Sequence, residues 1–139
     1  MTQLFLVGRI LLGGYFVYSG AEHFLKLQHL AAAAAAHHVP VPAVAVALSG
    51  VLLLIAGVSF LLGMAPKLGV LAVVLFLVPV TLTMHAFWAD ADPQMRMADL
   101  INFTKNFALL ASSLMFLAIP EPWPYSVHVP VSRPARTAA

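Results

Sequence analysis

The sequence predicts an all-α membrane protein: a bundle of four antiparallel transmembrane helices in up-down order. Composition is the first observation, because 62% of the 139 residues are hydrophobic and only 9% are charged, whereas a soluble domain carries about 25% charged residues. The second is that four apolar stretches each approach the ~20 residues that a helix needs to cross a hydrocarbon core. Because lipid offers backbone groups no hydrogen-bond partners, each stretch must be helical.

The four spans are expected to form one transmembrane domain, residues 1–119, followed by a tail at 120–139. Their expected bounds are residues 4–21, 43–62, 68–88 and 101–119. The tail holds five prolines, which predicts an extended or disordered segment. Trp88 and Trp123 are expected at opposite membrane interfaces, where indole rings are enriched.

The connections predict how the spans follow one another. After the first span the alanines at 31–36 favour helix and Pro40 and Pro42 end it, so the first helix continues past the membrane or a short surface helix follows. The turn at 63–67 is tight and makes the second and third spans a hairpin. The acidic stretch 89–100 is expected to be a loop.

Loop charge predicts the orientation, because the side richer in Lys and Arg faces the cytoplasm. The side that holds both termini carries Lys67, Arg133 and Arg136, and the other carries Lys26 and Arg96 among aspartates. We therefore expect both termini in the cytoplasm.

Two counts exclude whole classes of function. The chain has no cysteine, which excludes thiol–disulfide exchange, iron–sulfur ligation and Cys-based zinc sites within it. Its formal net charge of +2 is too small for nucleic-acid binding. A redox role would therefore need a bound cofactor or a quinone.

Polar residues that fall near lipid gather where the first and third spans end and the fourth begins, which is one side of the membrane in a four-span bundle. Ionisable side chains at membrane depth are costly and usually face the bundle interior or a site. We therefore predict a polar pocket at this end. Its candidate residues are Tyr15, Ser19, Glu22, His23, Lys26, His85, Asn102, Lys105 and Asn106.

Helical phase groups these candidates into stripes. At ~100° per residue, Glu22 and Lys26 share a face with Tyr15 and Ser19; their i,i+4 order favours an ion pair, which either tunes a site or snorkels into water at the helix end. On the fourth span Asn102, Lys105 and Asn106 form a second stripe. Lys105 needs a carboxylate partner, and we expect Glu22. Such a bridge either locks the bundle or frames a pocket.

The histidines leave several roles open. His85 can bind a quinone carbonyl, relay a proton, ligate a metal or simply hydrogen-bond a neighbouring helix. With His23 at similar depth a bis-His haem fits the geometry, but two histidines on a helical bundle are a weak signal. A metal site of His23, His85 and Glu22 is supported as weakly, so we assign neither.

Small residues predict where helices pack closely. Gly13 and Gly20 lie on one face of the first span, and Gly50 and Gly57 lie seven residues apart on the second, which favours close helix contact. Arg9 shares the face of Gly13. It either snorkels to the headgroups or anchors on backbone carbonyls of another helix.

Four short motifs follow one another along the chain: Gly8 to Gly13 (GRILLG), Tyr18 to His23 (YSGAEH), His85 to Trp88 (HAFW) and Phe103 to Leu110 (FTKNFALL). In this order, over residues 4–119, they resemble the DoxX family of small bacterial membrane proteins. The resemblance implies a four-helix bundle in the bacterial inner membrane. Some relatives are linked to sulfur-compound oxidation that passes electrons to quinone, others to oxidative-stress complexes, and many have no known activity.

The resemblance and the residues together favour a quinone-interacting or redox-associated subunit of a membrane complex. Relatives often carry an acidic residue midway in the second span, but this chain has only Val and Leu at 51–54. The alternative is a non-catalytic accessory or assembly subunit, and a small transporter ranks behind both. Expected partners are the lipid bilayer and other membrane-complex subunits or further copies of this chain.

Overall fold

The computed structural model describes residues 2–127, which form five α-helices and one 3₁₀ turn. The helices are α1 (Thr2–Leu25), α2 (Leu27–Ala36), α3 (Pro42–Leu62), α4 (Pro66–Met84) and α5 (Pro93–Met115), and the turn is Phe116–Ala118. Within residues 2–127, four helical segments are long and apolar enough to cross a membrane: α1, α3, α4 and Pro93–Ala118. The prediction of an all-α membrane protein with four spans is confirmed.

Three of the helices begin at a proline, whose fixed φ and missing N–H suit the first helical position. They are α3 at Pro42, α4 at Pro66 and α5 at Pro93. In α5, Asp92 is the N-cap, and its carboxylate accepts hydrogen bonds from the backbone N–H groups of Gln94 (2.7 Å) and Met95 (3.2 Å). This cap starts α5 within the stretch predicted as a loop, so that expectation is wrong from residue 93 onward.

The other helix ends also differ from the predicted spans. The first helix reaches Leu25, and after a break at Lys26 the short helix α2 follows. At the end of α4, His85 leaves the helical conformation, with φ −127° and ψ 42°, and pairs with Asp99 of α5. The third span therefore ends as a helix at Met84 rather than near residue 88.

Helices α3 and α4 form the expected hairpin. Gly63 ends α3 with φ 68°, the left-handed conformation that favours glycine. The Ser59 hydroxyl donates to the carbonyl of Met64 at 2.7 Å and lies 3.0 Å from that of Ala65. The hydroxyl thereby ties the turn to the last helical turn of α3.

Helices α1 and α3 run antiparallel and touch through glycines. Gly13 lies against Gly57 and Leu61, and further along α1 Gly20 lies against Gly50 and Leu54. A Cβ added at Gly57 would lie 2.6 Å from the Val17 backbone nitrogen. Without side chains at these four positions, the two backbones come close enough for van der Waals contact along their length.

The buried core lies between α1, α3 and α4, and its aromatic members include Phe16 and Phe60. Large apolar side chains on the outer faces are exposed, for example Leu11 by 69% and Leu48 by 59%. A membrane protein turns such side chains to the acyl chains, which are as apolar as leucine.

The segment after α5 folds back onto the end of the bundle opposite the predicted polar pocket. Trp123 is 1% exposed, and its ring meets those of Phe5 and Phe116 at centroid distances of 5.1 and 5.0 Å. Residues 120–127 are thus part of the packed bundle rather than a disordered tail, and Trp123 is a core residue rather than an interfacial one. Residues 128–139, with Arg133 and Arg136, lie outside the described residues.

Arg9 holds this segment in place. Its guanidinium donates to the carbonyls of Pro124 and Tyr125, both at 3.0 Å, and the side chain is 2% exposed. Of the two roles considered for Arg9, the structure shows the anchor on backbone carbonyls. Those carbonyls belong to the segment after α5 and not to another helix.

Candidate functional site

A cavity of about 360 Å³ lies where α1, α4 and the middle of α5 meet, with α2 and α3 completing its wall. Six of the nine candidate residues line this cavity. These are Tyr15, Ser19, His23, His85, Lys105 and Asn106. The other three, Glu22, Lys26 and Asn102, are outside the lining.

Most of the wall is apolar and comes from the core. Phe16, Leu53 and Leu77 line the cavity, as do Ala34 and Val46, and all five are buried. Small-molecule sites typically combine an apolar lining with a few convergent polar groups. The cavity has this character and opens in the polar half of the bundle.

His85 is held by a carboxylate that was not among the candidates. Its Nδ1 lies 3.1 Å from Oδ1 of Asp99, and the side chains are 23% and 17% exposed. Because an ionised carboxylate only accepts hydrogen bonds, Nδ1 carries the donated proton. The Asp-Pro pair at 92–93 is a helix-start signal; starting the fourth helix there would have placed Asp99 one turn from Asn102 and next to the site.

His23 is oriented by its own helix. Its Nδ1 lies 2.7 Å from the Ser19 carbonyl oxygen, and since a carbonyl can only accept, Nδ1 is the donor. The ring also meets Phe76 edge-on at a centroid distance of 5.6 Å. The backbone and the aromatic contact together fix which edge of the imidazole is left for the cavity.

The expected bridge between Glu22 and Lys105 is wrong. Glu22 forms an ion pair with Lys26 one helical turn away, and the hydrogen bond and charge of Glu22 raise the pKa of Lys26. Lys105 instead donates to the Asn102 side-chain oxygen at 2.9 Å. A partner four residues further along the chain needs no particular rotation of a neighbouring helix, which explains why Glu22 is satisfied locally.

Lys105 and Asn106 therefore line the cavity with hydrogen-bonding groups that are available to a ligand. Lys105 has no carboxylate within 4.0 Å among residues 2–127. Asn106 is only 7% exposed, yet its amide makes no hydrogen bond within the described part of the chain. The amide atoms are not fully buried and Asn106 lines the cavity, so this amide is a candidate ligand contact.

The described residues contain no group of three His, Asp or Glu side chains placed to hold a metal ion. In particular Glu22, paired with Lys26, does not join His23 and His85. What the cavity offers instead is hydrogen-bond chemistry: N–H donors from Lys105 and Asn106, hydroxyls from Tyr15 and Ser19, and a ring nitrogen from each histidine.

The model of the DoxX family matches residues 4–86. The match includes α1 to α4 with both cavity histidines, and it stops before α5, which supplies Asp99, Lys105 and Asn106. No curated protein and no solved structure matches the chain.

Proposed function

This chain belongs to the DoxX family, and from that premise we propose that it is a quinone-interacting subunit of a membrane complex in the bacterial inner membrane. The observation that carries the proposal is the cavity: apolar walls with hydrogen-bonding groups at one end, open within the membrane-spanning bundle. A quinone has matching parts, since its carbonyls accept hydrogen bonds and its isoprenoid tail is apolar.

The polar groups suit a quinone headgroup in number and kind. Lys105 and Asn106 both carry N–H donors that a carbonyl oxygen can accept. Asn106 is the better-defined contact, because it is buried and has no protein partner among residues 2–127. The apolar lining from α3 and α4 then receives the ring and the first part of the tail.

The subunit role follows from what the chain lacks. It has no cysteine and therefore no thiol or cluster ligand of its own to exchange electrons with a quinone. The redox partner is proposed to be a neighbouring subunit that approaches the cavity end. In the proposed up-down topology with cytoplasmic termini, this end faces the outside of the cell, and Lys67 marks the cytoplasmic end.

Filling the cavity tests the proposal directly. Ala45 and Ala33 line it from α3 and α2, so Ala45→Trp and Ala33→Phe should each displace the headgroup. The matched control is Leu48→Trp, which adds an indole to the exposed face of α3. Binding is measured by equilibrium dialysis of a ubiquinone with a single isoprene unit. The first two variants should bind it at least tenfold more weakly than the wild type, which corresponds to about 1.4 kcal/mol. The control should bind it with the wild-type affinity.

If wild-type protein in detergent binds no quinone, or both cavity variants fold and bind it as the wild type does, the proposal is wrong. Thermal unfolding of each purified variant establishes folding independently of binding.

The accessory-subunit alternative is favoured by apolar side chains at the start of α5. Met95 and Met97, in the first two turns of α5, are 60% and 58% exposed. Met95→Lys with Met97→Lys should abolish co-purification of a partner subunit without changing quinone binding. Loss of co-purification with no quinone binding in the wild type would favour this alternative.

A further inference from the structure

The two histidines of the cavity are held in the same tautomer by unrelated contacts. In His23, Nδ1–H is committed to the Ser19 carbonyl at 2.7 Å, and in His85 it is committed to the Asp99 carboxylate at 3.1 Å. A neutral imidazole has one donor and one acceptor nitrogen. With both Nδ1 atoms donating, each ring is left with Nε2 as an acceptor.

Both acceptor nitrogens are available to a ligand. Neither Nε2 has a hydrogen-bond partner within residues 2–127. Neither is a fully buried atom, so a ligand can reach both. Both residues line the same cavity. The backbone of α1 and the carboxylate of α5 thus leave one lone pair free on each of two histidines that line the cavity.

Two ligand states would meet these lone pairs differently. A quinone carbonyl oxygen only accepts hydrogen bonds, so it is served by Lys105 and Asn106 but finds no donor at either histidine. A hydroquinone hydroxyl both donates and accepts. It can accept from Lys105 or Asn106 and donate to an imidazole Nε2, which satisfies both kinds of group.

We propose that the cavity selects the reduced, hydroxyl-bearing form of its ligand, and that Asp99 is the positioning residue that sets this preference through His85. The inference rests on the proposed quinone-class ligand and adds which redox form the site recognises. It concerns binding alone; no electron transfer is part of it.

The measurement is the ratio of affinities for one headgroup in two redox states. Equilibrium dialysis of the ubiquinone with a single isoprene unit is repeated anaerobically with excess dithionite to keep it as the hydroquinone; the chain has no disulfide for the reductant to break. Wild type should bind the hydroquinone about tenfold more tightly, as expected from one or two net hydrogen bonds.

Asp99→Asn should bring the ratio of affinities close to one, because a neutral amide can bond to either tautomer of His85. His85→Phe keeps a ring of similar shape without a nitrogen and should lower the hydroquinone affinity more than the quinone affinity. Asp92→Asn is the matched control: it removes the same charge from the start of the same helix, outside the cavity, and should keep the wild-type ratio.

The outcomes separate the inference from its premise. If both redox forms bind the wild type equally, or the quinone binds better, the inference is overturned and the proposed function stands. If Asp99→Asn keeps the wild-type ratio, the role of Asp99 is overturned. If neither form binds, the proposed function fails and the inference falls with it.

Discussion

Substituting Gly57 by alanine should separate the two helices at the centre of the bundle. The added Cβ would lie 2.6 Å from the Val17 backbone nitrogen and 2.8 Å from the Gly13 carbonyl oxygen, whereas ordinary van der Waals contact begins at 3.4 Å. Both atoms belong to the backbone of α1, so no side-chain rotation relieves the clash. The helices must move apart by a large part of the difference between these two distances and 3.4 Å.

The cost follows from two opposing effects. Overpacking a close contact costs about 1–3 kcal/mol, and alanine recovers about 0.5–1 kcal/mol because glycine is the weaker helix former. We expect Gly57→Ala to lower the free energy of unfolding by about 1–2 kcal/mol. Unfolding by SDS titration in mixed micelles, followed by tryptophan fluorescence, measures this because Trp123 is buried in the same bundle.

Gly14→Ala is the matched control, since a Cβ at Gly14 meets no atom within 4 Å. It should be as stable as the wild type or slightly more stable. If Gly57→Ala and Gly14→Ala unfold at the same SDS fraction, the close α1–α3 contact does not contribute to stability and the reasoning is refuted.

Three further predictions follow from single contacts. Arg9→Met removes both hydrogen bonds to the segment around Trp123, so this segment should become cleavable by limited proteolysis and the protein about 2 kcal/mol less stable; unchanged cleavage would contradict the anchor. Lys105→Met should weaken quinone binding about tenfold by removing a charged donor, while Lys67→Met, at the opposite end, should not change it in the same dialysis assay. Asp92→Ala removes the cap of α5 and should cost about 1 kcal/mol in the SDS titration, whereas Asp92→Asn, which can still cap, should not.

The sequence was sufficient for the features that depend on composition and order. Apolar length predicted four spans, and their alternation placed the ends of the first and third spans beside the start of the fourth. That is why six of the nine candidates line one cavity. Glycine spacing likewise located the α1–α3 contact, because close approach requires a residue without a side chain at each crossing point.

The sequence was insufficient where rotation about a helix axis decides the partner. It placed Lys105 and Glu22 at the same end but could not show which way each side chain points, and Glu22 pairs with Lys26 instead. The proline content of the last segment predicted that it is not helical and said nothing of Trp123. Its burial depends on Phe5 and Phe116, which lie at distant points of the chain.

Asp99 has two roles that a pair of substitutions can separate. Helix α5 buries only Asn106 and Ser113, and the pair of Asp99 with His85 ties its N-terminal half to the end of α4. Asp99→Asn keeps a hydrogen bond to Nδ1 in either tautomer, so α5 should stay in place while the preference for hydroquinone is lost. Asp99→Ala removes the bond altogether and should lose both the preference and about 1 kcal/mol of stability. If the two variants were equally unstable in the SDS titration, the lost preference would reflect displacement of α5 and not the tautomer of His85.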